Sequence, residues 1–100
     1  MIDIASIQAQ NVIVSNESLT VELEDGRTIF VPLGWYPRLV DGTSEERSQW
    51  KFIANGEGIH WTDLNEDISV HNLLAGQPSA ESQSSLKKWL DQRVSSRQAS

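Results

Sequence analysis

The sequence predicts an α+β domain: a small antiparallel sheet of hairpin or meander form, short helices, and a C-terminal amphipathic helix. Three observations carry that expectation. Ser18-Leu19-Thr20-Val21-Glu22-Leu23-Glu24 alternates polar and apolar residues one by one, the period of a strand with one buried face. Asp25-Gly26 and Asn55-Gly56 are dipeptides that favour tight turns between strands. Leu86, Trp89, Leu90 and Val94 recur at helical spacing and mark a single apolar stripe. One hundred residues, 38% of them apolar, suffice for one modest core and not for two. Residues 1–100 are therefore expected to form a single domain, with its core spanning about 9–76.

In chain order, Ile2, Ile4 and Ile7 stand among small polar residues and read as a loosely held lead-in. Ala9 to Ser15 is the first strand, and Asn16-Glu17-Ser18 is turn material. The next hairpin has two registers to choose between. A two-residue loop pairs Val21 with Phe30 and puts Ile29 and Val31 on the side of Glu22 and Glu24. A three-residue loop, Glu24-Asp25-Gly26 with Gly26 left-handed, pairs Leu23 with Arg27, Val21 with Ile29 and Leu19 with Val31. The second gathers the apolar residues on one face and is the expected register. Phe30 then faces the other way, toward cover from the C-terminal helix or a partner.

Val31 to Leu39 holds Pro32 and Pro37, each lacking a backbone donor and biasing its predecessor away from helix, so the chain turns there. Thr43 followed by Glu46 reads as a capping box for a helix over about Ser44 to Trp50. Lys51 to Ala54 and Ile59 to Trp61 are short strands across Asn55-Gly56, which brings Phe52 near Ile59. Thr62 to Ser69 reads as an acidic connection, and Ser69 caps a short helix that Gly76 closes. The C-terminal helix is expected over about 79–95, with 96–100 frayed.

The net charge of −6 divides unevenly. Through Ser84, 13 acidic residues face Arg27, Arg38, Arg47 and Lys51, a net of −9; beyond it Lys87, Lys88, Arg93 and Arg97 face only Asp91, a net of +3. An acidic body repels nucleic-acid phosphates and favours encounter with basic partners. Four cations at the tail are few for an affinity built on counterion release. No apolar run is longer than Val12-Ile13-Val14, far short of a membrane span of about 20 residues. Met1-Ile2-Asp3-Ile4 has no basic segment ahead of an apolar one, so no leader is expected, and the absence of cysteine fits a cytoplasmic protein.

No motif names a reaction. Asp63-x-Asn65-x-Asp67 matches the start of a calcium loop, but Ile68 replaces its glycine and Leu74 its bidentate glutamate. His60 and His71 lack an organising motif, and Glu45-Glu46 and Glu66-Asp67 read as caps and solvated charge. No Ser-His-Asp order or glycine-rich phosphate loop is present, so no catalytic residue, metal site or cofactor is expected and the chain is read as a non-enzyme. Four tryptophans are the unusual feature. Trp50 and Trp61 are expected in the core; Trp35, Tyr36 and Arg38, bent outward at the proline corner, are of the residue types that concentrate binding energy. The partner-binding candidates are Trp35, Tyr36, Arg38, Glu66, Asp67, Lys87 and Lys88.

Leu19-x-Val21-x-Leu23-x-Asp25-Gly26-Arg27, then Val31-Pro32-Leu33-x-Trp35-Tyr36-Pro37-Arg38-Leu39, Glu45-Glu46-Arg47, Gly58-Ile59-His60-Trp61-x-x-Leu64-x-Glu66-Asp67-Ile68 and Leu73-Leu74-x-Gly76 resemble a bacterial family known as domain of unknown function 2442. The resemblance covers about Val12 to Gly76. Thr62 stands where the family usually has proline and Asn65 where aspartate is common, and neither disturbs the fold expectation. What the resemblance implies is a small α+β domain; some relatives precede a helix-turn-helix domain, for which this chain is expected to be too short, and some are similar to antitoxins encoded beside small basic toxins. The expected function is a protein-binding or regulatory module, antitoxin-like toward a basic partner, or a homo-oligomer. The alternative is a DNA-associated regulator acting through the basic C-terminal helix.

Overall fold

The computed structural model describes residues 7–99, with side chains as far as Arg93. Among these residues the chain forms β1 (Ala9–Val14), β2 (Ser18–Leu23), β3 (Thr28–Pro32), α1 (Pro37–Asp41), α2 (Ser44–Ser48), β4 (Trp50–Ile53), β5 (Gly58–Trp61), β6 (Glu66–Ser69), α3 (Val70–Leu74) and α4 (Gln83–Ala99). The strands divide into two antiparallel meanders, β1-β2-β3 and β4-β5-β6, in which every hydrogen-bonded neighbour is also a chain neighbour. An α+β architecture with antiparallel sheets and short helices is what the chain adopts.

Local chemistry sets most of these elements. In the first meander Leu19 opposes Val31 and Val21 opposes Ile29, and the Leu23 amide donates to the Arg27 carbonyl at 2.8 Å. That is the three-residue loop. Gly26 takes φ +94°, a conformation that costs an L side chain about 1–2 kcal/mol. The register buries Leu19, Val21 and Leu23 completely. In the second meander Phe52 opposes Ile59 as the turn dipeptide requires. The connection is wider than a two-residue turn, because the last pair is Ile53 with Gly58 and residues 54–57 lie between the strands. The α2 capping box closes from both sides: the Glu46 amide donates to Thr43 Oγ1 at 3.1 Å, and the Thr43 amide donates to Glu46 Oε1 at 2.9 Å. Ser69 Oγ accepts the Asn72 amide to start α3, and Gly76 at φ +73° ends it.

One buried cluster draws on both sheets, from Ile7 and Val12 through Tyr36, Leu39 and Trp61 to Trp89. Trp61 is fully enclosed and its indole N–H donates to the Arg47 carbonyl at 3.0 Å, which ties β5 to α2. Trp50 is only half-buried against the same core.

Several expectations are corrected. Ile7 is not a loose lead-in; it is 6% exposed and belongs to the core, while residues 1–6 lie outside the described residues. The α2 helix stops at Ser48, and Trp50 already begins β4. The acidic connection contains a strand, β6, which exists because β5 offers it partners: Ile59 opposes Ile68 and His60 opposes Asp67. The C-terminal helix begins at Gln83 rather than about 79, since residues 77–82 run without helix or strand, and it continues through Ala99. Its apolar stripe packs through Leu86, Trp89 and Leu90; the Val94 side chain lies outside the described ones, as does Ser100. Phe30 is 69% exposed, so α4 does not cover it. Among the described residues no helix is long and apolar enough to cross a membrane.

Candidate functional site

The proline corner turns inward. Extended Pro32 leads into one turn of 3-10 helix over Leu33–Trp35, Tyr36 at φ −129°, ψ 87° separates it from α1, and Pro37 occupies the first position of α1, where its missing N–H is harmless. The Leu33 amide donates to the Glu17 carbonyl at 2.9 Å, which pins the corner to the β1–β2 turn. Leu33 and Leu39 are thereby buried, and so is Tyr36, at 4% exposure. The expected outward bend of Trp35, Tyr36 and Arg38 is corrected accordingly: Trp35 is half-buried against the core, Tyr36 is enclosed, and the Arg38 side chain is 13% exposed.

Arg38 fastens three segments. Its Nε and Nη2 donate to Glu81 at 2.5–3.0 Å, and its Nη1 donates to the Leu64 and Asn65 carbonyls at 3.3 and 3.0 Å. Glu81 also accepts the Ser85 hydroxyl at 2.9 Å. The hydrogen bonds from Arg38 hold the Glu81 carboxyl below its ordinary range, and reciprocally raise the arginine. The Ser79 amide donates to the Trp35 carbonyl at 3.0 Å, so the segment between α3 and α4 lies along the corner.

Between that segment and β6 is a cleft of about 480 Å³, lined by Tyr36, Arg38, Asn65, Glu66, Asp67 and Glu81 among others. Asn65 sits at φ +49° in the β5–β6 turn, a conformation asparagine accepts more readily than most residues. The turn delivers Glu66 to the cleft wall. Glu66 Oε1 accepts the Asp67 amide at 3.1 Å, but Oε2 is enclosed with no hydrogen-bond partner. The Tyr36 hydroxyl is in the same condition. Burial raises the Glu66 carboxyl above its ordinary value, against the pull of the Asp67 amide and Arg38. Burial, aided by the Glu66 charge, pushes the Tyr36 phenol up to about 12. Asp67 faces outward and pairs with His60 across the β5–β6 ladder.

A second feature lies on the far side of Arg38. Two guanidinium groups lie over the Trp89 indole, Arg38 at 4.9 Å and Arg93 at 4.7 Å from a ring centroid. Arg93 donates from Nη1 and Nη2 to Glu46 at 3.0 and 2.8 Å. Its Nε comes within 3.3 Å of Asp41 Oδ2, yet makes no aligned hydrogen bond, so that contact is one of charge. The Arg93 and Thr43 bonds hold the Glu46 carboxyl down at about 2.

Of the residues singled out from the sequence, Tyr36, Arg38, Glu66 and Asp67 meet in the cleft. Trp35 stays at the corner, and Lys87 and Lys88 are exposed on the outer face of α4, away from it. Sequence reasoning missed Glu81, Asn65 and Ser79. Glu81 carried no signal, because its arginine partner lies 43 positions away.

The corner, both meanders and α3 all fall within residues 9–79, and it is this stretch that matches the profile of the family described as Protein of unknown function (DUF2442). The chain belongs to DUF2442. Tyr36, Arg38, Glu66 and Asp67 lie inside the DUF2442 match, whereas Glu81 and all of α4 lie beyond it. Two solved structures are similar. One is the crystal structure of a protein of unknown function from Rhodospirillum rubrum, 24% identical with a TM-score of 0.65 over 76% of this chain and 94% of that one. The other is the solution NMR structure of an uncharacterized protein from Chromobacterium violaceum, 18% identical with a TM-score of 0.63 over 86% and 75% of the respective chains. At these identities the likeness shows that the DUF2442 fold is shared, and no more. No curated protein matches the chain.

Proposed function

We propose that this DUF2442 chain is a non-enzymatic protein-binding module that engages a basic partner through the face around Glu66 and Asp67, in the manner of an antitoxin toward a small basic toxin. The observation that carries the reading is the cleft itself. Glu66, Asp67 and Glu81 line it with one cation, Arg38, and the Asp67 carboxylate is turned outward, where a basic partner can reach it. The net charge of −9 through Ser84 supports the same reading, because it steers basic proteins toward the surface.

The DNA-binding alternative has less support. Arg93 is engaged by Glu46 and Asp41, which leaves Lys87 and Lys88 as the exposed cations described on α4, too few for strong phosphate binding. Affinity capture from the native host tests the proposal. A basic protein recovered with the wild-type chain and lost with Glu66→Lys/Asp67→Lys is the expected result. Recovery unchanged by the double reversal overturns it, and so does a duplex-DNA complex abolished by Lys87→Glu/Lys88→Glu in place of any protein complex.

A further inference from the structure

The first sheet ends in an open edge of a form that a second copy of the chain completes. We infer that β3 pairs antiparallel with β3 of another copy about a two-fold axis at Phe30, joining the two β1-β2-β3 meanders into one continuous sheet. This goes beyond the basic-partner reading and is independent of it, since β3 belongs to the first sheet and the Glu66–Asp67 face to the second.

Hydrogen-bond alternation assigns the edge. The Leu23 amide donates to the Arg27 carbonyl and the Leu33 amide to the Glu17 carbonyl, so at both ends of the β2–β3 ladder the bonded positions on the second strand are the odd-numbered ones. Bonded and non-bonded positions alternate along an antiparallel pair. The backbone groups of Thr28, Phe30 and Pro32 therefore turn away from β2. All three residues are exposed, Phe30 by 69%, and among the described residues no backbone bond outside the ladder engages them. The opposite edge is different: a Cβ on Gly56 would stand 3.1 Å from Gln8 Cβ, so the chain at Gly56 closes over the start of β1.

A two-fold axis at Phe30 sets the whole of β3 against the whole of its copy. Each Phe30 amide then donates to the partner's Phe30 carbonyl, and each Thr28 amide to the partner's Pro32 carbonyl, so the missing proline amide costs one bond at each end. An axis at Ile29 would instead set Pro32 against Gly26, whose amide already donates to Leu23. With the axis at Phe30, the two phenyl groups meet as a cross-strand pair on the outer face, and on the core face the half-buried Ile29 gains the partner's Val31.

Charge selects the occupant. Residues 28–37 carry no charge, and the flanking Arg27 and Arg38 are paired within the chain, with Asp25 and Glu81. Edge strands are commonly guarded by lysine, a bulge or a covering segment; β3 has only Pro32. Two copies of net charge −6 can meet there without opposing like charges, whereas a basic segment would find no carboxylate on the strand. β3 supplies five residues, against about 20–30 a side in a stable complex, so the dimer is weak and concentration-dependent.

Sedimentation equilibrium of the full chain, with Phe30→Lys, Thr28→Pro and Ile13→Lys beside wild type, tests the inference. The expected result is a monomer–dimer equilibrium with a Kd on the order of 100 μM, tightening as salt screens the net charge. Phe30→Lys should weaken it about tenfold or more. Thr28→Pro deletes an amide that β2 does not use, and should weaken the dimer while circular dichroism stays folded. Ile13→Lys lies on the same outer face, across Thr20 from Phe30, and should change the Kd by no more than about threefold. In a mixture of labelled and unlabelled chain, an Ile29 Hα to Val31 Hα contact between copies is expected, as neighbours in a non-bonded pair. A chain monomeric up to about 1 mM, a dimer indifferent to Phe30→Lys and Thr28→Pro, loss of the dimer on Ile13→Lys alone, or assembly that continues past the dimer overturns the inference. So does a monomeric chain whose capture of a host protein is abolished by Phe30→Lys, which gives the edge to a foreign strand. The dimer should survive Glu66→Lys/Asp67→Lys, so this inference and the basic-partner reading fail separately.

Discussion

Glu46 and Glu66 start from the same ordinary carboxylate value, 4.5, and the fold moves them in opposite directions. Glu46 accepts from Arg93 twice and from the Thr43 amide, and it is held at about 2. Glu66 keeps one oxygen enclosed and unpaired, and burial moves it upward. The contrast separates a staple from a site. A carboxylate with both oxygens engaged binds the protein to itself, and one left short does not. Arg38 and Trp89 lie between the two regions, the arginine gripping Glu81 on the cleft side and stacking on the indole from the other.

The sharpest way to break the comparison is to remove what both regions stand on. Trp61 opposes Glu66 across the β5–β6 ladder and donates to Arg47 of α2, so it supports cleft and staple together. Trp61→Ala should cost about 3–5 kcal/mol in urea unfolding, as truncation of a fully buried aromatic does; a loss under about 1 kcal/mol would show that the two regions do not share a core.

Next in size is the staple alone. A folded-state value below the unfolded one contributes stability that is present above 4.5 and lost as pH falls toward about 2. At about 1.36 kcal/mol per unit the shift sets a ceiling near 3 kcal/mol, reduced because the Glu46 side chain is 21% exposed. Glu46→Gln should therefore lose about 1–3 kcal/mol at pH 7 and nothing at pH 2. A difference from wild type that is constant across that range would remove the charge from the explanation.

The smallest effect belongs to the cleft. Tyr36→Phe deletes a hydroxyl that has no partner, so unfolding at pH 7 should change by less than about 0.5 kcal/mol or become slightly harder. Tyr36 is the only tyrosine, so its ionisation can be read from ultraviolet absorbance without overlap from other phenols. The phenolate should appear near 12 in the folded chain and near 10 once unfolded. Because the folded phenol holds its proton longer, stability should fall as pH rises from 10 to about 12. Ionisation near 10 with the fold intact would mean that the hydroxyl reaches water and the cleft is open there.

What the sequence disclosed follows the range of the interaction. Asp25-Gly26, Thr43 with Glu46, and Ser69 with Gly76 were legible because each element is decided by residues a few positions apart. The pairing of Phe52 with Ile59 followed from the turn between them. Glu66-Asp67-Ile68-Ser69 has one apolar residue and no alternation to read; it is a strand because β5 is beside it. The prolines at 32 and 37 established that the chain turns, but which side of Tyr36 meets the core depends on Leu33, Leu39 and the sheet packing together. The cleft needed Glu81 and Ser79, whose roles are assigned by contacts with Arg38 and Trp35 that no local pattern announces.

The meander order carries a kinetic consequence. Because both sheets pair only chain neighbours, their ladders close through short loops, the low-contact-order condition for rapid formation. The bonds that dock α4 and its lead-in span 43 and 47 positions, and their loop-closure entropy is larger. We predict that they form after the transition state, so that Glu81→Ala and Arg93→Ala speed unfolding and leave the folding rate almost unchanged, whereas Val21→Ala in the first meander slows folding. Stopped-flow chevrons would read the order directly, and slowed folding in Glu81→Ala would reverse it. On this order the cleft is the last part of the molecule to assemble and the first to come apart.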